Sequence, residues 1–204
     1  MEDISSKFTI AVIGRSGSGK GVQAHALLSL LGKRAYHMET GRFLREITRE
    51  HENPTIRIAR RLMGQGRLFP SWFSSYTWLN KFIAGGKADR HLIFDGAPRR
   101  LSEARLLDEV LVWHGRKKAL CIYLDVIEKT AVDRLLARKR KDDTLRAIQN
   151  RMAYFSRDVL PVIEYFKKER RLLRINGELS TELVFRQIES LLSKRLGRNW
   201  ERRT

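Results

Sequence analysis

The stretch Gly14-Arg15-Ser16-Gly17-Ser18-Gly19-Lys20 constrains this chain most, because it stands between two apolar segments of different period. Phe8 to Ile13 is almost uninterruptedly apolar and short, as a buried strand would be, whereas Val22 to Leu31 repeats its apolar residues at helical spacing. A strand that breaks into glycines and continues as a helix turns successive backbone amides inward, and the helix adds its positive end. A glycine, four residues and then Gly19-Lys20 is the spacing of a phosphate-binding loop, in which Lys20 reaches the outer phosphates of a nucleotide. The next position is Gly21, where such loops usually place a magnesium-binding hydroxyl, so the loop itself is not expected to ligate the ion.

Short apolar runs recur at His91 to Phe94, Ala119 to Leu124 and Leu172 to Ile175, with a weaker one at Lys33 to His37. Segments of helical period separate them, such as Leu101 to Trp113. This alternation predicts an α/β fold of three layers, with a central parallel sheet of about five strands covered by helices on both faces. The 204 residues suit a single domain. Gly41 to Ile83 breaks the rhythm and reads as a helical insertion, with Asn53 and Pro54 opening one helix and Gly64, Gly66 and Pro70 as punctuation. The tail from Gly197 to Thr204 is expected to be frayed.

Charge narrows the partners. The 41 Lys and Arg against 23 Asp and Glu give a net charge of +18, which calls for polyanions. Nucleic acid is the generic choice, but an enzyme that holds two nucleotides needs many cations as well. No apolar run approaches the roughly 20 residues of a membrane helix and the first residues lack a secretory pattern, so a cytoplasmic location is expected, with a monomer as the default. The single cysteine, Cys121, lies in a strand-like run and reads as a buried packing residue. His25, His37, His51, His91 and His114 show no metal-ligand spacing and read as surface or packing residues.

Gly19-Lys20-Gly21-Val22-Gln23 resembles the adenylate kinase family, whose loop ends Gly-Lys-Gly-Thr-Gln. Glu39-Thr40-Gly41-Arg42-Phe43-Leu44-Arg45 is similar to the family's Ser-Thr-Gly-Asp-hydrophobic-Leu-Arg, and Gly66-Arg67-Leu68-Phe69-Pro70 to its Gly-x-Leu-Val-Pro. Phe94-Asp95-Gly96-Ala97-Pro98-Arg99 resembles Leu-Asp-Gly-Phe-Pro-Arg. Arg134, Arg138, Arg140 and Arg151, around Lys141-Asp142-Asp143, are similar to the arginines that flank the family's lid. Leu160 to Phe166 and Ile175-Asn176-Gly177 extend the likeness, which runs from about Phe8 to Leu192.

The resemblance implies a short-lid nucleoside monophosphate kinase with the P-loop fold, expected to act as an adenylate kinase that turns ATP and AMP reversibly into two ADP: a single kinase domain over 1–204, a monophosphate-binding insertion at about 41–83 and a very short lid at about 138–143. Magnesium would arrive with ATP and be steered through water by Asp95. Gly14, Ser16, Gly17, Ser18, Gly19, Lys20, Gly21, Val22, Arg134 and Asn176 would bind ATP. Thr40, Gly41, Arg45, Leu68, Phe69, Gly96, Arg99 and Glu103 would bind the monophosphate, and Lys20, Arg99, Arg134, Arg140 and Arg151 would serve the transfer. Asp143 is expected to cap the helix after the lid.

Four positions depart from the family: Val22 for Thr, Arg42 for Asp, Ala97 for Phe, and Glu103 for the Gln that reads adenine. An ionised carboxylate only accepts hydrogen bonds, so Glu103 suits the two adjacent donors of guanine or the amino group of cytosine. Two readings stay open: Glu103 selects a GMP or a CMP/UMP acceptor, or it faces solvent while the backbone reads adenine. A nucleic-acid-associated nucleotide-binding protein is the rival class, drawn from the basic stretches Arg138 to Lys141 and Arg198 to Arg203. Trp72, Phe73, Tyr76 and Trp78 are aromatic as that class requires, but their spacing is that of helix packing.

Overall fold

The computed structural model describes residues 6–50, 52–85, 89–138 and 143–202. Five strands, β1 (Thr9–Gly14), β2 (Ala35–Glu39), β3 (His91–Asp95), β4 (Leu120–Asp125) and β5 (Leu172–Asn176), form one sheet in the order β2-β3-β1-β4-β5. Every pairing is parallel. The α/β reading of the apolar runs therefore holds, the weak Lys33 to His37 run included, since it supplies the edge strand β2.

Successive strand residues point to opposite faces, and each face has its own core. Ile10 and Val12 of β1 pack with Ala24, Leu27 and Leu31 of α1 (Lys20–Leu31) and with Val184, Ile188 and Leu192 of α9 (Thr181–Leu196). Ala11 and Ile13 face the other core, built by α4 (Ser71–Ala84), α5 (Leu101–Trp113) and α8 (Leu160–Lys168) through Trp78, Phe82, Leu107, Val162 and Phe166. Cys121 is buried in this second core. Between β2 and β3 the chain runs through α2 (Thr40–Glu50), α3 (Pro54–Gly64) and α4. Asn53 caps α3 by accepting from the amide of Ile56, with Pro54 in the first turn where its missing N–H costs nothing. After β4 come α6 (Glu128–Ala137) and α7 (Leu145–Tyr154), the latter widening into a π turn at Phe155–Val159 before α8.

Two local expectations are corrected. Through Arg202, the last described residue, the tail is anchored rather than frayed: Trp200 is 1% exposed in a short turn, its ring 5.7 Å from that of Phe8. The cap of α7 is Thr144, which accepts from the amide of Ala147, and not Asp143, whose carboxylate is drawn instead onto Arg138 and Arg151.

Candidate active site

In a parallel sheet of this order, a crevice opens at the carboxyl ends of the central strands. Gly14 closes β1 there, and the glycine-rich loop follows. Gly17 has φ +88°, and a Cβ placed on it would lie 2.2 Å from the carbonyl oxygen of Ala131, so a glycine is what lets the loop rest on α6. Gly19 precedes α1 in the left-handed conformation without a side-chain cap, which leaves the first amides of the helix to a ligand. The hydroxyl of Ser18 is buried with no hydrogen-bond partner among the described residues. Lys20 donates from Nζ to the Arg15 carbonyl at 2.6 Å. Burial, aided by Arg99, Arg138 and Arg151 and opposed by Asp95, lowers its pKa to about 8.

Side chains far away in sequence brace the loop. Arg15 donates to the Val126 carbonyl at 3.3 Å and lies 4.1 Å over the ring of Phe155. Ser16 Oγ and the Tyr154 hydroxyl are 3.2 Å apart. Asp95 ends β3 opposite Val12 of β1 and, across the other pairing, opposite Glu39 of β2. A Cβ on Gly21 would meet Asp95 Oδ2 at 3.3 Å, so the glycine keeps space between loop and carboxylate.

Arg99 folds back over Gly96, whose added Cβ would lie 2.9 Å from Arg99 Nη2. Glu103 faces neither solvent nor the cleft, so it departs from the placement in both readings of that position: it is 3% exposed, and its Oε2 accepts from the backbone amide of Arg99 at 2.7 Å. Burial raises its pKa against the pull of that amide and of Arg99 and Arg100. It sits in the first turn of α5, where a carboxylate satisfies orphan amides.

On the insertion side, Thr40 opens α2 with a buried hydroxyl that has no hydrogen-bond partner among the described residues. Arg45 donates to Glu39 Oε1 at 3.0 Å. Phe69 is buried and stacks on Phe73, and Leu68 packs against the main core. The amide of Asn150 on α7 donates to the Gln65 carbonyl at 2.8 Å, and Gly66 touches α7 so closely that a Cβ would lie 2.5 Å from the Ala147 carbonyl oxygen.

Arg134 donates to the Gly177 carbonyl at 3.1 Å. Arg138 donates to Asp143 at 2.5 and 2.9 Å, and Arg151 binds the same carboxylate. Burial pushes Asp143 up, but these two guanidinium groups outweigh it and hold the carboxyl below its ordinary value. Arg140 lies outside the described residues, as does His51.

The loop, the end of β3, the start of α2 and the arginines of α6 and α7 border one cleft of about 1170 Å³. Its walls include Ser16, Gly17, Ser18, Gly19, Lys20, Gly21 and Val22, together with Gly41, Arg45, Phe69, Asp95, Gly96, Arg99, Arg134 and Arg151. Gly14 borders instead a small cavity of about 20 Å³ under the loop, shared with Ala97, Arg99 and Tyr154. Thr40, Leu68, Glu103 and Asn176 are not on the cleft wall; Asn176 turns its side chain to the amide of Glu178. Tyr154, Glu39, His25 and the turn residues Leu179, Ser180 and Thr181 line the cleft without having been singled out for it. For the last three the available signal was their place beyond the final strand, on the same sheet edge as the loop.

The sequence comparisons agree with this geometry. Residues 12–171 match the profile of the adenylate kinase family. An adenylate kinase of Azobacteroides pseudotrichonymphae is 35% identical over 187 residues, covering 88% of this chain and 94% of the relative. Adenylate kinase 2 of a Nostoc strain is 35% identical over 183 residues, covering 90% and 97%. Human adenylate kinase isoenzyme 5 is 32% identical over 195 residues, 92% of this chain but 33% of that longer protein. With a phosphate loop and a converging set of arginines around one cleft, and likeness of this extent, the chain belongs to the adenylate kinase family.

Proposed function

We propose that this protein is an adenylate kinase, moving the terminal phosphoryl group of ATP onto AMP, reversibly, within a single domain. The observation that carries the reading is the one cleft that brings the phosphate loop, Asp95 and seven cations together: Lys20, Arg45, Arg67, Arg99, Arg134, Arg138 and Arg151. Its size exceeds what a single small ligand fills.

Phosphoryl transfer asks for in-line positioning and for positive charge where the migrating oxygens become negative, with little covalent chemistry from the protein. Lys20 and the amides from Gly17 to Gly21 hold the donor phosphates. Arg45 and Arg99 hold the acceptor phosphate, with Gly41 and Phe69 on the wall around the acceptor nucleoside and Thr40 and Leu68 set back from it. Arg134, Arg140 and Arg151 follow the migrating group. The insertion at about 41–83 and the lid at about 138–143 exclude water when they close.

Among the described residues no group of three or more His, Cys, Asp or Glu is arranged to hold a metal, whereas Asp95 stands alone beside the loop with room left by Gly21. A lone carboxylate fits a magnesium ion that enters on the phosphates and keeps its waters. When bound, the ion supplies charge neutralisation at the donor phosphates, and Asp95 orients its water shell. A cytoplasmic monomer fits this reading, and no helix among the described residues is long and apolar enough to cross a membrane.

The acceptor is AMP because Glu103, the residue that could have favoured guanine or cytosine, spends its carboxylate on the Arg99 amide away from the cleft wall. Incubation with magnesium ATP and AMP, GMP, CMP or UMP in turn, following ADP and the diphosphate products, tests the assignment. Transfer to AMP at the highest kcat/KM is expected. Preference for GMP or CMP would return Glu103 to base reading, and transfer to none of the four would remove the kinase assignment.

A further inference from the structure

Two positions differ in charge from the family's Ser-Thr-Gly-Asp segment: Glu39, an acid, stands where that segment has neutral Ser, and Arg42, a base, where it has Asp. Glu39 is the last residue of β2 and, with Asp95, one of the two carboxylates among the described residues that line the cleft. One of its oxygens accepts from Arg45 Nη2 at 3.0 Å, and the other lies 4.0 Å from Arg42 Nε. Arg42 also faces Glu46 at 3.6 Å, and Glu46 faces Lys81 at 3.3 Å. The acid at position 39 thus holds the guanidinium that the acceptor phosphate needs.

We propose that Glu39 is a positioning residue that sets the affinity for the acceptor by holding Arg45 until the acceptor's dianionic phosphate displaces it. The inference rests on the reading in which Arg45 clamps that phosphate. An arginine binds phosphate best through two parallel N–H bonds, and one of the N–H groups involved is committed to Glu39. The pair is open to water, with side-chain exposures of 54% for Arg45 and 25% for Glu39, so its net strength is modest and a dianion can replace it. Until then the carboxylate cancels the charge of Arg45 and repels the incoming phosphate, which weakens the acceptor's binding without touching the ATP side.

The test uses the full-length protein and the variants Glu39→Gln and Glu39→Ser, with initial rates over AMP at saturating magnesium ATP and then over ATP at saturating AMP. The expected result is an AMP KM lower by about threefold to fivefold in both variants, with the ATP KM and the unfolding temperature unchanged. Equilibrium titration of AMP without ATP should show the same gain. In an Arg45→Met background the Glu39→Gln gain should vanish, because the carboxylate acts through that guanidinium. An AMP KM unchanged or raised in both variants, or a gain that survives Arg45→Met, overturns the inference while leaving the kinase reading intact. Absence of transfer by the unaltered protein is the separate result that overturns the kinase reading itself.

Discussion

The two sides of the cleft, donor and acceptor in the proposed reading, hold their cations with different partners. Around the phosphate loop the partners are carbonyls: Lys20 on Arg15, Arg15 on Val126, Arg134 on Gly177. On the insertion and beside the lid they are carboxylates: Arg45 on Glu39, and Arg138 and Arg151 on Asp143. A carbonyl fixes a cation's position and leaves its charge in force. A carboxylate fixes it and cancels the charge. In the proposed reading, the donor side would meet a triphosphate with its field already in place, whereas the acceptor side would gain its field only when an incoming phosphate changes the partners.

The largest effect should come from the donor side. Lys20→Met removes an uncancelled charge from the transferring group and should lower kcat by about 10²–10³-fold, the usual cost of one well-placed electrostatic contact. A coupled assay for ADP checks it. A loss under about tenfold would mean the loop amides carry the field without the lysine, and the contrast between the two sides would fail.

Asp143 tests the opposite arrangement. It is 2% exposed as a side chain and pairs with Arg151, itself 10% exposed, so Asp143→Asn takes a charged hydrogen-bond acceptor away from a buried guanidinium. A loss of about 2 kcal/mol in stability is expected, read by denaturant unfolding. Its pH dependence follows from the lowered carboxyl: the contribution is present above the ordinary aspartate pKa of about 4 and is lost as pH falls through the lower folded value. Parent and variant should thus converge in acid. A constant gap would show that Asp143 acts by packing.

How much of this contrast the sequence carried depends on where the chemistry lies along the chain. The loop was legible because its function needs consecutive residues, and Asp95 to Arg99 because a strand end and its turn do the same. The bracing of the loop was not legible: Ser16 with Tyr154 and Arg15 with Phe155 join residues on distant elements, and nothing in either segment alone marks them. Position 143 shows a different limit. Asp and Thr are both good helix caps, so only the arginines on either side, converging in space, decide that Thr144 takes the cap. Trp200 was hidden in a basic tail because one aromatic residue has no period to read.

The pH response of ATP binding sharpens the donor side further. Lys20 has a pKa of about 8 without nucleotide, lowered chiefly by burial. A bound triphosphate favours the cation and raises that value, so binding takes up a proton once the pH passes about 8. Affinity for ATP should then fall as pH rises, approaching about tenfold per unit. Calorimetric titration at pH 8.5 in buffers of different ionisation enthalpy measures the proton. Absence of uptake would place the charged lysine in the free protein and remove the effect.

The smallest effect concerns Glu103, whose buried carboxylate neither belongs to the cleft wall nor pairs like Glu39. Its pKa is raised by burial, so the fold disfavours the charged form: ionisation costs stability above the ordinary glutamate range, and the cost is relieved as pH falls through the raised value. Glu103→Gln keeps an oxygen for the Arg99 amide and removes the charge. It should raise stability by about 1 kcal/mol at pH 8, with the gain shrinking toward pH 4. The preference for AMP over GMP should move by less than about threefold, because the lost charge faces a backbone amide rather than a base. A shift beyond about tenfold would require the carboxylate to leave the Arg99 amide and reach the nucleotide, making the first turn of α5 part of the acceptor's recognition surface.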